Sequence, residues 1–319
     1  MSSKSIPIIG GDVSLREIVL AWACSKSRHT IANSPKAITA WLKTLPGPCV
    51  IGVEATGRLH QCLANLAVAH GHTVYVVNPK HVAHYAKGVG QRGKTDPMDA
   101  AVIARYLERE RDELYPYTTP TTLQRQLRDL ISQRAGIVRH CTALKQSMQA
   151  TTTGALTRLQ RAALSSLSKL VTQINNELKR LVAQNQELET KRKLLQGITG
   201  IGLLNSIALT HRFDRTPFAN SDAVVAAYGL DPRPRDSGNH TGKRRLTKQG
   251  NPEDRRLIYL AAQSASKSKL FNPLYKRLLA KGFSTTEAIV IIARKLLRIA
   301  FAVWTSAQPF DLDKVGKKP

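Results

Sequence analysis

Residues 49–77 read CVIGVEATGRLHQCLANLAVAHGHTVYVV. An apolar run from Cys49 closes on Glu54, Thr56-Gly57 turns the chain, a helix continues through His70, and a second β-rich run spans Thr73 to Val77. Short apolar runs bounded by turn residues are buried strands, and the stretch between them suits one helix. Upstream, Ile6 to Gly10 is another apolar run, ending at Gly11-Asp12. Arg16 to Cys24 (REIVLAWAC) is expected to return beside it as the second strand of a hairpin. Ser34-Pro35 then starts a helix whose apolar positions Ile38, Trp41, Leu42 and Leu45 recur at helical spacing until Pro46-Gly47-Pro48 stops it. A hairpin followed by strand-helix units indicates an α/β region with a mixed sheet covered by helices.

Downstream the pattern changes. Leu123, Leu127, Leu130, Ile137, Cys141, Leu144 and Met148 alternate four-three spacing, with Arg134 in the skipped position. That is a heptad seam. Thr151-Thr-Thr-Gly154 breaks it, and a second seam follows through Leu167, Val171, Ile174, Leu178, Leu181 and Leu188. Two long amphipathic helices of this kind form an intrachain hairpin or pair with another subunit, and the polar exceptions Asn185 and Arg192 would set register there. A third, mainly helical region opens with Gly197-Ile-Thr-Gly-Ile-Gly202. This is either the phosphate-gripping turn of a helix-hairpin-helix element or an ordinary glycine turn. The final helix, Ala288 to Trp304, carries Arg294, Lys295 and Arg298.

The 319 residues hold 48 Lys plus Arg against 22 Asp plus Glu, a formal net charge of +26. Such a surplus attracts phosphate backbones. An anionic membrane is the other polyanion, but there is no long apolar span and no signal-peptide pattern, so a soluble, cytoplasmic, nucleoid-associated protein is expected. Cys24, Cys49, Cys62 and Cys141 lack CxxC spacing and are expected to be reduced thiols. The pairs His70/His72 and His81/His84 lack the further soft ligands that a zinc site needs.

In so basic a chain the placement of four acids is informative. Asp12 and Glu54 each close an apolar run, and Asp96 and Asp99, three apart, share the first turn of the helix that continues through Leu107. Phosphodiester chemistry uses hard cations held by several converging carboxylates. Acids in a first helical turn are also ordinary dipole partners, so capping is the competing reading for Asp96 and Asp99. A second constellation runs from Arg233 to Lys248, with six basic residues, Arg233, Arg235, Lys243, Arg244, Arg245 and Lys248, against the single acid Asp236. Within it Ser237 precedes Gly238. On chemistry alone it is a hydroxyl that contacts phosphate, since no Ser-His-Asp spacing activates it.

Gly11-Asp-Val-Ser14, Glu54-Ala-Thr-Gly57 and Lys94-Thr-Asp-x-x-Asp-Ala100 resemble the metal site of DEDD transposases of the insertion-sequence-110 family, which includes Piv-like invertases. Gly200-Ile-Gly202, Ala227-Tyr-Gly-Leu230 and Asp236-Ser-Gly238 through Lys248-Gln-Gly-Asn251 resemble its second domain. The resemblance implies a RuvC-like, RNase H-like domain over residues 1–118, a coiled-coil domain over 119–196 and a mainly helical transposase domain over 197–319. It implies that Asp12, Glu54, Asp96 and Asp99 hold Mg2+ and that Ser237 is the nucleophile of a phosphoserine intermediate. The implied partners are DNA, both element ends (or a circular donor) and target, a noncoding bridge RNA, and further copies of the chain as a homodimer or homotetramer. A RuvC-like junction nuclease acting by hydrolysis, or a non-catalytic nucleic-acid scaffold, would use the same residues differently.

Overall fold

The computed structural model describes residues 6–25, 27–90, 96–149, 154–233 and 244–311. The chain divides into two compact units, Met1–Thr119 and Pro120–Pro319.

The first unit contains β1 (Ile8–Val13), β2 (Glu17–Trp22), β3 (Arg28–Ala32), α1 (Pro35–Leu42), β4 (Val50–Glu54), α2 (Gln61–Ala69), β5 (Thr73–Val77), α3 (Pro79–Gly88) and α4 (Asp96–Glu110). The strands form one five-stranded sheet in the order β3-β2-β1-β4-β5. The expected hairpin is present as β1 antiparallel to β2, with Asp12 opposite Val19. β4 lies parallel to β1, and β5 parallel to β4. The sheet is therefore mixed, as the sequence predicts. Two elements were not foreseen. β3, antiparallel to β2, extends the hairpin into a three-stranded meander, and α3 starts at Pro79 with the Asn78 side chain accepting the Lys80 N–H at 3.0 Å.

Alternation along the strands divides the core in two. Ile9, Val13, Ile51, Val53 and Val74 pack with Ile38, Trp41 and Leu42 of α1 and Leu63, Ala64 and Ala67 of α2. On the other face Ile8, Val50 and Val77 pack against Val82 of α3 and Val102, Ile103, Tyr106 and Leu107 of α4. Gly10 and Gly52 are register partners on that second face. A Cβ on Gly10 would collide with the Ala100 carbonyl oxygen and stand 2.5 Å from the Ala104 nitrogen, while one on Gly52 would overlap Leu107 and reach Ile103 at 2.9 Å. A glycine inside a buried strand marks a place where other backbone comes close, and here that backbone is α4.

The second unit contains α5 (Thr122–Met148), α6 (Gly154–Ala183), α7 (Gln186–Gln196), α8 (Leu203–Arg215), α9 (Ser221–Ala227), a two-stranded ribbon of β6 (Pro232–Arg233) and β7 (Arg245–Leu246), α10 (Pro252–Ala265), α11 (Asn272–Ala280) and α12 (Thr285–Ser306). The first heptad seam is one helix, capped by a Thr121/Gln124 capping box, and it pairs with α6 inside the chain. Arg134, the polar residue of the seam, donates from Nε to Asn175 Oδ1 across the pair at 2.7 Å. The second seam differs from expectation, because the helix ends at Ala183 and restarts at Gln186. Asn185 sets no register. Its side chain accepts the Leu188 N–H at 3.1 Å and so caps α7. Arg192 is buried within the chain and ion-paired to Glu189 at 2.7 Å, with further hydrogen bonds to Gln196 and Ser206. Leu127, Ile131, Ile174, Leu178 and Leu181 then join Leu188, Ile207 and Leu257, so the base of the helical pair shares a core with α7, α8 and α10. Beyond that base, no described residue from 136 to 173 is buried.

The glycine pair can be tested directly. Gly10→Ala is expected to cost about 1–3 kcal/mol or more through backbone overlap, read as a lower midpoint in thermal unfolding. Gly11→Ala is the control, since its Cβ would make ordinary contacts with Val53 and Leu63 side-chain atoms at 3.4 and 3.5 Å and the Gly52 carbonyl oxygen at 3.6 Å, and it should unfold close to wild type.

Candidate active site

Register places the first two acids. β1 and β4 are in step from Ile8 opposite Val50 to Gly11 opposite Val53, so Asp12 and Glu54 occupy the next position on each strand. Side chains alternate along a strand, so both lie on the face that carries Gly10 and Gly52, the face under α4. Helix direction places the other two. Ala100 packs on Val19 and Ala21 of β2, whereas Glu108, two turns later, meets the Cys24 thiol just past the end of β2 (Sγ to Oε1 3.9 Å). α4 thus runs opposite to β1, and its first turn, with Asp96 and Asp99, lies at the end of the sheet where Asp12 and Glu54 stand. Asp12, Glu54 and Asp99 are half-buried; the side chain of Asp96 lies outside the described residues.

The donors at this end are carboxylate oxygens, which suit a hard divalent cation. Among the described residues, no group of three or more His, Cys, Asp or Glu side chains is close enough to hold a metal ion. Asp12, Glu54 and Asp99 share one face and one end of the sheet without forming a closed shell. The His70/His72 pair has a structural role. His72 Nδ1 accepts the Cys49 N–H at 3.1 Å and burial holds its pKa down, while His70 Nδ1 bonds the Leu66 carbonyl at 2.8 Å. All four cysteines are free, and burial raises the thiol pKa of Cys49 and Cys62.

In the second unit the cationic stretch is anchored at both ends. Arg233 pairs with Arg245 in the β6-β7 ribbon, and Arg233, Arg244, Arg245 and Lys248 are exposed. Arg235, Ser237 and Lys243 lie outside the described residues. Below the ribbon the chain crosses itself. Gly229 (φ +64°) and Gly250 (φ +98°) have backbone that no side chain could share, because a Cβ would overlap the Gln249 and Ala227 carbonyl oxygens respectively. The Thr247 hydroxyl donates to the Asp231 carboxylate, and the Thr247 and Lys248 N–H groups donate to the Asp231 and Gly229 carbonyls, each at 3.1 Å. Arg255 collects three more carbonyls, those of Tyr228, Gln249 and Gly250, at 3.2–3.4 Å. Tyr228 is buried beneath, its hydroxyl kept neutral by desolvation. Burial likewise raises the Asp254 carboxyl, against the pull of Arg212.

Arg255, Asp231 and Thr247 were not picked out from the sequence. Only the φ-demanding pair Gly229 and Gly250 signals the crossing. In the Gly197–Gly202 turn, Gly200 (φ +93°) is a packing glycine, its Cβ meeting the Ala261 carbonyl oxygen of α10 at 2.6 Å, while Gly202 stands in open space at the start of α8.

Comparison with known proteins identifies the class. A family model described as a transposase, of the DEDD type found in IS110 elements, matches residues 23–157, and one described as transposase IS116/IS110/IS902 family matches residues 192–276. The first match includes Glu54, Asp96 and Asp99 and begins after Asp12; the second includes Ser237. The chain is 30% identical over 266 residues to the pilin gene-inverting protein of Moraxella lacunata, covering 81% of each chain, and 30% identical over 268 residues to that of Moraxella bovis, again 81% of each. It is 22% identical over 324 residues to an insertion element IS116 protein of Streptomyces clavuligerus, covering 79% of this chain and 81% of that one. The chain therefore belongs to the IS116/IS110/IS902 family of transposases, which are DNA-recombining enzymes.

If the crossing positions the cationic stretch, Gly250→Ala should lower strand-exchange activity by about tenfold or more, since strained backbone costs about 1–3 kcal/mol, with the circular dichroism spectrum kept. Gly202→Ala, placed in open space, should leave stability within about 0.5 kcal/mol.

Proposed function

We propose that the protein is a site-specific recombinase of an insertion sequence, joining DNA strands through a covalent phosphoserine intermediate on Ser237, with Asp12, Glu54, Asp96 and Asp99 holding Mg2+. The observation that carries this reading is the register that sets Asp12 beside Glu54 on the sheet face covered by α4, in a chain of the transposase family. An RNase H-like, RuvC-related assignment for the first unit is supported by the strand order β3-β2-β1-β4-β5, with three antiparallel strands followed by two parallel to β1. The coiled-coil segment 119–196 and the transposase segment 197–319 complete the proposed organisation. The relatives named for inverting a pilin gene support exchange between two DNA sites as the class of reaction.

Mg2+ at the carboxylates would supply Lewis-acid charge to the phosphoryl oxygens. The chain's own groups do the rest. The Ser237 hydroxyl gives up its proton as its oxygen bonds to phosphorus. The bond from phosphorus to one deoxyribose oxygen breaks, and that oxygen leaves as a hydroxyl with a proton. A deoxyribose hydroxyl from the partner strand then reverses the sequence, restoring a phosphodiester and freeing the serine. Bond energy is conserved, so no nucleotide cofactor is needed. The basic residues Arg233, Arg235, Lys243, Arg244, Arg245 and Lys248 would hold backbone phosphates and offset charge on the transferring group. Exchange joins two DNA sites and so calls for more than one subunit, as a dimer or tetramer. The net charge of +26 exceeds what a short DNA contact uses and leaves capacity for a noncoding bridge RNA as guide.

Mg2+ binding can be read without turnover. Added Mg2+ should raise the thermal midpoint of wild type, by about 2.7 kcal/mol of stability at a hundredfold excess over Kd, but not that of Asp12→Asn or Glu54→Gln. On supercoiled DNA carrying element ends, with and without the noncoding RNA, wild type should give a trapped protein–DNA adduct that Ser237→Ala abolishes. Free cleaved ends at full yield from Ser237→Ala would instead establish a hydrolytic junction nuclease, and activity unchanged by Asp12→Asn and Glu54→Gln would remove the metal site.

A further inference from the structure

Among the described residues other than glycine, two hold a positive φ, Lys248 at +52° and Ala307 at +51°. The left-handed region costs an L-residue free energy, and lysine lacks the short polar side chain that lets asparagine or aspartate visit it. Ala307 has an ordinary reason, since it caps the end of α12. Lys248 is at no helix end: it lies between β7, which stops at Leu246, and α10, which starts at Pro252.

The backbone around Lys248 is fixed from both sides. Its N–H donates to the Gly229 carbonyl at 3.1 Å, and the Thr247 N–H before it donates to the Asp231 carbonyl at the same distance. After it, the Gln249 and Gly250 carbonyls accept from Arg255 Nη1 at 3.3 and 3.2 Å. A Cβ on Gly229 would stand 2.7 Å from the Lys248 carbonyl carbon, so the two segments are in contact. Strained backbone persists where its surroundings over-determine it, and here they set the direction in which the Lys248 side chain leaves the chain. The residue is exposed, and its ammonium makes no ion pair among the described residues.

Holding a phosphate backbone does not call for such an arrangement. Arg233, Arg244 and Arg245 are exposed cations of the same stretch, and none of them has a positive φ. A cation that only holds DNA can do so from relaxed backbone, whereas a group that meets one developing charge gains from being aimed in advance. Glycine at position 248 would relieve the strain and asparagine would reduce it, yet neither brings a charge. What lysine brings is a compact ammonium with three donors. We infer that Lys248 is a catalytic residue of the proposed strand exchange: its ammonium donates to a non-bridging oxygen of the phosphoryl group in transfer, while the arginines of the stretch hold phosphates that do not react. The bonds made and broken are those of the serine pathway above, and Lys248 keeps its proton throughout. The inference rests on the reading of the chain as a recombinase and sets one cation apart from the six assigned there together.

The test measures three quantities on the full chain: the thermal midpoint, the affinity for DNA carrying element ends, and the rate of protein–DNA adduct formation at saturating DNA with the noncoding RNA present. Lys248→Gly should raise the midpoint by about 1–4 °C as the strain is released. It should weaken binding by no more than about threefold and slow adduct formation by about a hundredfold or more, as loss of one donor to a developing charge does. Lys248→Asn, which keeps the left-handed backbone without the charge, should lose rate to about the same degree. Lys248→Arg should stay within about tenfold of wild type. Arg244→Gln should show the opposite split, with binding weakened by about threefold or more and the saturated rate within about threefold of wild type. A midpoint that falls in step with the rate in Lys248→Gly and Lys248→Asn means that the side chain only braces the crossing, and a saturated rate near wild type in both means that it only holds DNA. Either result overturns the inference and leaves the serine reading in place. Wild type that yields no adduct, or an adduct that survives Ser237→Ala, overturns the recombinase reading itself.

Discussion

The close approach of α4 to the sheet at Gly10 and Gly52 is the constraint on which the acidic site depends. The two glycines are partners on adjacent parallel strands, and together they make a shallow trough under the helix. A side chain at Gly10 would strike the α4 backbone at Ala100 and Ala104, displacing the start of that helix, while one at Gly52 would strike the Leu107 and Ile103 side chains. The trough also fixes the alternation. With Gly10 and Gly52 facing α4, residues two positions on must face the same way, so both acids are committed to the helix side of the sheet by the same pleat that removed two side chains beneath it.

The second unit solves a comparable problem with charge. Its cationic stretch leaves and rejoins the fold through a two-residue ribbon, too short to be stable alone. The stability comes from below, where Gly229 and Gly250 allow two backbone segments to touch and Arg255 binds three carbonyls at once. All three contacts come from the one Nη1, whose two N–H bonds are shared among the three carbonyls, so one side chain holds the crossing from both sides. Segments 229–233 and 244–250 are therefore ordered, although the basic residues above them repel one another.

Much of this was legible in the sequence, and the exceptions share a cause. Asp12 and Glu54 could be found because an apolar run ending on an acid is unusual, and the heptads because periodicity survives without tertiary context. β3 left no such trace: Arg28-His-Thr-Ile-Ala32 is largely exposed and owes its extended form to pairing with β2. α3 buries only Val82, and its Asn78-Pro79 start is the stronger signal. The α6-α7 break was hidden because apolar positions continue across it to Leu188; only Asn185, which serves as a cap, marks the restart. Arg192 looked like an interface residue because its partner Glu189 lies on the same helix, three residues earlier, where local ion pairs are usually superficial. Here both are buried, and the pairing is an internal one. The role of Gly10 depends on a helix some ninety residues later, which no local window contains.

Charge separation follows from these placements. In the second unit the acids are largely spent on local structure: Glu177 on Arg180, Glu187 on Lys191, Glu189 on Arg192, Glu253 on Arg256, Asp222 on Arg298, and Glu287 on the cap of α12. Each such pair cancels one negative and one positive charge, so an approaching polyanion meets the unpaired cations of this unit. In the first unit Asp12, Glu54 and Asp99 lie at one end of the sheet, on the face under α4. Under the chemistry proposed above, a phosphate reaching that end would need a cation between it and the carboxylates.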